Sequence, residues 1–304
     1  MTIYNYKDGL SLPFSSSVVA LGFFDGVHRG HRALLSAAKE KATELGLPFV
    51  VFSFVSESPG LKAPERLYST DIKSELLFSL GAEYIVYANF PDMSEMSAEE
   101  FVSSFLLTTL GAKLAVCGRD FGFGKGRAGD AELLRKLMKD SAGEALIIED
   151  ELTDGEKISS TLIKDLIKDG KIKKATELLG EPFFIIGDVI KGDGRGKTLG
   201  IPTVNVSLQN DKSFLRSGVY HTKIEINGKR YTGITNVGVC PTFSERDRHT
   251  ETFILGFCDT VYGESVKISF LDYLREEKKF DNKDALLEQI EKDLMVIKEA
   301  ARGW

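Results

Sequence analysis

The sequence predicts an α/β half followed by an all-β half: a doubly wound parallel sheet, then a small antiparallel β-barrel closed by a C-terminal helix. Three observations carry this. Short apolar, β-branched runs alternate with amphipathic helical runs through the first half. After Pro182 the pattern becomes strand-like, broken by turns such as Asn227-Gly228. From about Asn282, Leu286, Ile290, Leu294 and Ile297 fall on one helical stripe.

In chain order, strands are expected at Val18–Leu21, Phe49–Phe54, Tyr84–Tyr87, Leu114–Cys117 and Ala145–Ile148. Helices are expected near Gly30–Leu45, Asp71–Leu80, Ala98–Leu110, Asp130–Asp140 and Thr161–Asp169. Gly46 supplies a stop for the first helix. Ser97-Ala98-Glu99-Glu100 has the spacing of a capping box and supports the third. Such alternation argues for a parallel sheet with helices on both faces. A short helical piece, Ile172–Leu179, ends at Gly180 and Pro182, which divides the chain into residues 1–182 and 183–304. Beyond it, strands are expected at Phe183–Val189, Val219–Ile226, Tyr231–Asn236, Thr252–Phe257 and Val266–Phe270.

A chain of 304 residues, 42% hydrophobic and 28% charged, suits two separate cores. No apolar run approaches the ~20 residues of a membrane span, and Met1–Tyr6 has no signal-peptide pattern. Cys117, Cys240 and Cys258 are odd in number and far apart, which fits a reducing cytoplasm without disulfides or zinc. From Phe184 onward, 18 Lys and Arg balance 18 Asp and Glu, so the net charge of -6 belongs to the first 183 residues. Neither half offers a basic surface, so nucleic acid and membrane are not expected partners. A phosphate-bearing partner should be small and locally held. Nothing in the sequence sets an oligomeric state.

Three stretches of the first half carry chemistry. Val18–Leu21 leads through Gly22-Phe23-Phe24-Asp25-Gly26-Val27 to His28-Arg29-Gly30-His31, where a helix opens. His28 and His31 therefore sit at a helix N-terminus past the C-terminal end of a strand, where open α/β sheets bind ligands. The helix N-terminus suits a phosphate, and two imidazoles beside it can donate hydrogen bonds as charge develops. The pair also fits helix capping, or a metal site for which no Cys or third His follows at zinc spacing. The second stretch, Gly118–Asp130, contains a literal G-x-G-x-x-G at Gly124–Gly129. A dinucleotide fingerprint belongs in the first βα turn, which the histidines occupy. Phe121 and Phe123 offer ring faces, and Lys125 and Arg127 suit phosphate; a flexible loop with solvated charges also fits. The third, Ser159-Ser160-Thr161, is a strong helix N-cap signal.

In the second half, Gly192-Asp193-Gly194-Arg195-Gly196-Lys197-Thr198 invites a P-loop reading, but Lys191 stands where the first glycine belongs. Thr203 and Asn205 are two apart, so on a strand their oxygens face one side and suit Mg²⁺.

Gly22-Phe23-Phe24-Asp25-Gly26-Val27-His28-Arg29-Gly30-His31 resembles the HxGH signature of nucleotidylyltransferases, in its flavin adenylyltransferase form. Gly-Arg-Gly followed by Leu199-Gly200-Ile201-Pro202-Thr203-Val204-Asn205 resembles the riboflavin kinase signature. Ser217–Tyr220, Asn236–Phe243, Glu251-Thr252 and Tyr273–Phe280 follow in that family's order. The resemblance covers nearly the whole chain and is to the bacterial bifunctional riboflavin kinase/FAD synthetase family. It implies a Rossmann-like nucleotidylyltransferase domain ahead of the barrel. It implies ATP contacts from Gly22, Phe24, Asp25, Gly30, Arg127, Ser159, Ser160 and Thr161, and flavin contacts from Asp120, Phe121 and Phe123. In the kinase half it implies phosphate contacts from Gly192, Gly194, Arg195, Gly196 and Lys197, metal contacts from Thr203 and Asn205, Glu251 as base, and Arg275 near the flavin.

The implied activity is ATP-dependent phosphorylation of riboflavin to FMN, then adenylylation of FMN to FAD with release of pyrophosphate. The implied partners are riboflavin, FMN, FAD and ATP, with Mg²⁺. His28 and His31 would be the catalytic groups of the second step. The chain departs from the family pattern at Lys164, usually Arg, at Phe253, usually His, at Gly256, and at Val55–Ser58. Two other readings use the same motifs: a chain that retains one activity, and a flavin-binding regulator without turnover.

Overall fold

The apolar runs of the first half become the sheet. A computed structural model describes every residue except Asp8, 56–64, 191–202, 209–211, Ser213, 240–247, Cys258, Thr260, Lys279, Asp281 and 303–304, and only the backbone at Lys283 and 299–302. The first elements are β1 (Thr2–Asn5), β2 (Ser17–Leu21), α1 (Arg29–Leu45), β3 (Phe49–Phe54), α2 (Thr70–Ser79) and β4 (Tyr84–Ala88). Next come α3 (Phe90–Met93), α4 (Ala98–Glu100), β5 (Ala112–Gly118), α5 (Ala131–Asp140), β6 (Glu144–Ile148), β7 (Leu152–Thr153) and β8 (Glu156–Lys157).

Strands pair in the order β1-β4-β3-β2-β5-β6, and every pair is parallel. β2 is buried throughout because helices cover both of its faces. Val19 and Leu21 pack with Phe52, Phe101 and Phe105 on one side. Val18 and Ala20 pack with Leu34, Leu35 and Ala38 of α1 on the other. The chain runs outward from β2 to β3 and then returns to β5 on the opposite side. The crevice between the ends of β2 and β5 is therefore the topological switch point of the sheet.

The helix expected at Ala98–Leu110 begins as α4, with Ser97 and Glu100 forming the capping box, and continues as a π-helix over Phe101–Thr109. β1 was not expected, because its residues are mostly exposed and show no apolar alternation.

The second half holds α6 (Ser160–Lys168), α7 (Ile172–Leu179), β9 (Phe184–Ile190), β10 (Thr203–Ser207), β11 (Gly218–Ile226), β12 (Lys229–Val239), β13 (Arg248–Ile254), β14 (Ser265–Arg275) and α8 (Lys283–Arg302). The six strands close into a barrel in the order β10-β13-β12-β11-β14-β9. Asn227 and Gly228 both have positive φ and make the tight β11–β12 turn. Thr222, Thr235 and Thr252 are fully buried inside, linked hydroxyl to hydroxyl at 2.8 and 2.9 Å. This polar inward row hides the apolar alternation. It explains why β13 spans Arg248–Ile254 and not the expected Thr252–Phe257, with Gly256 turning the chain at φ 69°.

By packing, the chain divides into Met1–Ser160 and Thr161–Trp304, so nearly all of α6 and all of α7 group with the barrel although both precede the division expected at Pro182. α7 is tied to β14 by Lys173 and Asp272 (2.7 Å), and Arg216 donates to the Asp169 carbonyl (3.1 Å). A barrel fragment starting at Thr161 should therefore melt higher than one starting at Phe183, by about 5 °C or more. Thermal unfolding of the two fragments followed by circular dichroism checks this; equal midpoints would mean that α6 and α7 add nothing to the barrel.

Candidate functional site

β2 delivers the chain into a strained turn. Phe24 (φ 54°) and Val27 (φ 45°) take left-handed backbone, as does Gly26 (φ 82°). For an aromatic and a β-branched residue this stores roughly 1–3 kcal/mol each. Contacts from distant segments hold it. The Phe23 carbonyl accepts from Ser53 Oγ (2.9 Å) and Lys73 Nζ (3.3 Å). Asp25 Oδ1 accepts from the Leu67 N–H (2.9 Å), and the Asp25 carbonyl from the Ser160 hydroxyl (2.7 Å). Arg32 Nε donates to the Val27 carbonyl (3.0 Å), and the Arg66 guanidinium covers the Phe23 ring at 3.9 Å. The Phe24 ring is fully buried against Gly22, where a Cβ would lie 2.8 Å from it.

The turn ends at His28, the N-cap of α1. His28 Nδ1 accepts from the His31 backbone N–H (3.4 Å). The two imidazoles stack with centroids 3.6 Å apart and 16° between planes, and the Phe24 ring meets His31 edge-on at 5.2 Å. A Cβ at Gly30 would just touch the His28 ring, at 3.4 Å. His31 Nδ1 is buried and has no hydrogen-bond partner among the described residues. Burial, and then the charge of Lys157, hold the His28 imidazole down at about 4. Burial, then His28, Lys73 and Lys157, hold His31 well below the usual histidine range. Both rings are therefore neutral at pH 7, and each carries one N–H.

The loop after β5 lines the other side of the switch point. Lys157 bridges Asp120 (2.8 Å) and Asp150 (2.7 Å). Phe121 and Phe123 stack at 5.7 Å, but they are not equivalent. Phe123 is in the core against Phe101, while Phe121 is only partly buried, packed against the edge of that core. Arg127 is exposed and donates to the Asp120 carbonyl (3.2 Å). Lys125 is paired with Glu95 (2.6 Å). Ser159 directly precedes α6, Ser160 opens it, and Thr161 is the first residue of the second unit.

In the barrel, strand register assembles a second constellation. Glu251 lies opposite Asn205 on one neighbouring strand and Asn236 on the other. The Thr203 hydroxyl donates to Glu251 Oε1 (2.8 Å). Since Thr235 and Thr252 point inward, this row lies on the outer face. The Asn236 amide donates to Glu277 (2.8 Å), and Gly238 leaves room for that carboxylate. Farther along the same face, Ile290, Leu294 and Ile297 of α8 pack on Val219 and Ile234. The oxygens of Thr203, Asn205 and Glu251 are the hard donors that Mg²⁺ takes. Among the described residues, no group of three His, Cys, Asp or Glu could hold a metal.

The two halves match two families. The FAD synthetase family matches residues 13–162, and the riboflavin kinase family matches residues 179–301. The bifunctional riboflavin kinase/FMN adenylyltransferase of Bacillus subtilis is 36% identical, covering 92% of this chain and 90% of its own. The chain belongs to the bifunctional riboflavin kinase/FMN adenylyltransferase family. The Escherichia coli protein of that name is 33% identical over 94% of this chain and 93% of its own. A Streptococcus pneumoniae crystal structure, described as a macrolide-efflux protein, superposes with a TM-score of 0.86 at 32% identity over 99% of both chains. In the present chain, no helix among the described residues is long and apolar enough to cross a membrane.

Against the family pattern, Gly192, Gly194, Arg195, Gly196 and Lys197 lie outside the described residues, as does most of the loop after Phe54. Arg275, expected near the flavin, is turned to α8. Its guanidinium pairs with buried Asp293 through Nε–Oδ1 (3.0 Å) and Nη2–Oδ2 (2.9 Å). Phe253 lies opposite Thr203, on the same face as Glu251. Lys73 carries no signal in the sequence, because a lysine on an amphipathic helix reads as solvated.

The neutral His28 makes folding pH-dependent. Between the ordinary histidine value of 6.5 and about 4, the unfolded chain binds a proton that the folded chain does not. Stability should therefore fall as pH drops through that window, by about 3 kcal/mol from His28. His28→Asn keeps a capping side chain and should lose less thermal stability between pH 7 and 4.5. Equal losses in both proteins would assign the acid sensitivity elsewhere.

Proposed function

We propose that this chain carries out both reactions of its family, each in its own site: adenylylation of FMN in the first unit and phosphorylation of riboflavin in the barrel. The observation that carries this reading is the placement of Glu251 beside Thr203 and Asn205 on one barrel face, in a chain whose other unit holds a neutral His28–His31 pair. A flavin-binding regulator would need no such base.

In the barrel, Glu251 accepts the proton of the riboflavin 5′-hydroxyl as that oxygen attacks the γ-phosphorus of ATP; ADP leaves and FMN forms. The Thr203 hydroxyl orients the Glu251 carboxylate and keeps its own lone pairs for a cation. Thr203 and Asn205 would hold Mg²⁺, which when bound neutralises charge on the phosphates. Arg275 serves by fixing α8 through Asp293. In the first unit, an FMN phosphate oxygen attacks the α-phosphorus of a second ATP, and pyrophosphate leaves. No proton need be removed from a phosphate dianion, so neutral imidazoles suffice: they donate N–H groups to the charge that develops, beside the N-terminus of α1. Phe121 faces the flavin, and Asp120 and Lys157 flank it. A reducing cytoplasm is the compartment assigned to the chain.

His31→Ala should slow FAD formation by about two orders of magnitude and leave FMN formation intact. Separate assays on FMN plus ATP and on riboflavin plus ATP check this; a parallel fall of both activities in a folded variant would undo the assignment of sites. Glu251→Gln keeps size and most hydrogen bonding but accepts no proton. It should lower riboflavin phosphorylation by roughly 10²–10⁴ while FAD formation from added FMN is unchanged. A wild-type rate in this variant would reduce Glu251 to a strand residue.

A further inference from the structure

Lys73 on α2 is 1% exposed. Its ammonium donates to the Phe54 carbonyl (2.7 Å), Ser53 Oγ (3.1 Å) and the Phe23 carbonyl (3.3 Å). The rings of Phe23 and Tyr87 face it at 4.9 and 5.0 Å. Burying an ammonium is unfavourable unless its donors are satisfied, and an apolar side chain of similar length would fill the same space without that penalty. The location of the acceptors supplies a reason. Phe54 ends β3. Phe23 lies just beyond β2, and its carbonyl is the last before the strained residues Phe24 to Val27. Ser53 also donates to that carbonyl (2.9 Å), so Lys73, Ser53 and Phe23 form a closed triangle of hydrogen bonds.

We propose that Lys73 is a positioning residue for adenylyl transfer, clamping the C-terminal ends of β2 and β3 so that the strained turn presents His28 and His31 in one orientation. The inference rests on the assignment of FAD formation to that turn. Without the ammonium, Ser53 alone would hold the Phe23 carbonyl, and the strain at Phe24 and Val27 could relax by moving the turn. A shift of the donors relative to the reacting phosphate acts on the chemical step more than on ATP binding. Beside the burial that chiefly holds His31 neutral, Lys73 contributes positive charge near it, as does Lys157 on β8.

The test uses the full chain, with FMN, ATP and Mg²⁺ as substrates and riboflavin phosphorylation in the same preparation as control. Lys73→Met should lower kcat for FAD formation by about tenfold or more, with KM for ATP within about threefold and the kinase rate unchanged. Removing the positive charge lets His31 take up a proton at higher pH, so the acid limb of FAD formation should move upward. If Lys73→Met does not fold, Ser53→Ala opens the triangle but keeps the ammonium. It should lower kcat by a smaller factor, about threefold, without moving the acid limb. A folded Lys73→Met with wild-type kcat and acid limb, or a wild-type Ser53→Ala where Lys73→Met is unfolded, overturns the proposal. Equal loss of both activities marks a packing role and overturns it too. Wild type and His31→Ala run alongside. If wild type makes no FAD, or His31→Ala makes it at full rate, the assignment of the reaction to this turn has failed; if both behave as expected, a failure belongs to Lys73 alone.

Discussion

The first unit depends on a turn that its own residues disfavour. Phe24 and Val27 would relax to negative φ if the loop were free. They are held by partners 30, 50 and 135 residues away in sequence, from β3, α2 and the start of α6. This works only because β2 lies at the centre of a parallel sheet, with neighbours ending beside it. The strain is thus a consequence of topology: the switch point brings enough distant donors to one place to over-determine the turn. The start of α1 inherits the precision of the turn. His28 caps that helix, and His31 stacks on His28 with ring centroids 3.6 Å apart.

The barrel positions its groups by another route. Register alone sets Glu251 between Asn205 and Asn236, and no loop need be strained to do so. A one-residue slip would turn Glu251 inward and the buried threonines outward. The hydroxyl row from Thr222 to Thr252 resists that slip, because buried hydroxyls need one another as partners. On the outer face, the Arg275–Asp293 pair fixes α8. Both groups are largely withdrawn from water, so this ion pair is one whose loss on one side would be strongly destabilising.

Most of this was legible in the sequence, and the exceptions have physical reasons. The β2–α1 motif was readable because a strand, two glycines, two histidines and a helical stripe stand next to one another. The pairing of Thr203 with Asn205 was readable because a strand alternates with period two. Around the two sites, three things were not. The core position of Phe123 depends on Phe101, which is distant in sequence. The turn of Arg275 toward Asp293 depends on where α8 lands. Lys73 is indistinguishable from a solvated helix lysine until the ends of β2 and β3 are seen to converge on it. In each case the side chain is used in tertiary contact, and local pattern carries no trace of that use.

In the proposed assignments, the two sites face opposite protonation problems and meet them with the surfaces their folds provide. Attack by a phosphate on a second phosphate has no proton to lose, so its helpers should donate and should not gain charge of their own. Burial at a sheet's switch point, with Lys73 and Lys157 nearby, yields such donors from histidine. Attack by an alcohol must shed a proton, so its helper must be an anion that remains reachable. A carboxylate on the outer face of a barrel, only partly buried and oriented by a neighbouring hydroxyl, meets that need. A parallel sheet offers buried depth at one edge, and a small barrel whose interior is filled by its own side chains offers only its outside. Joining the two in one chain gives each phosphate chemistry the surface it requires.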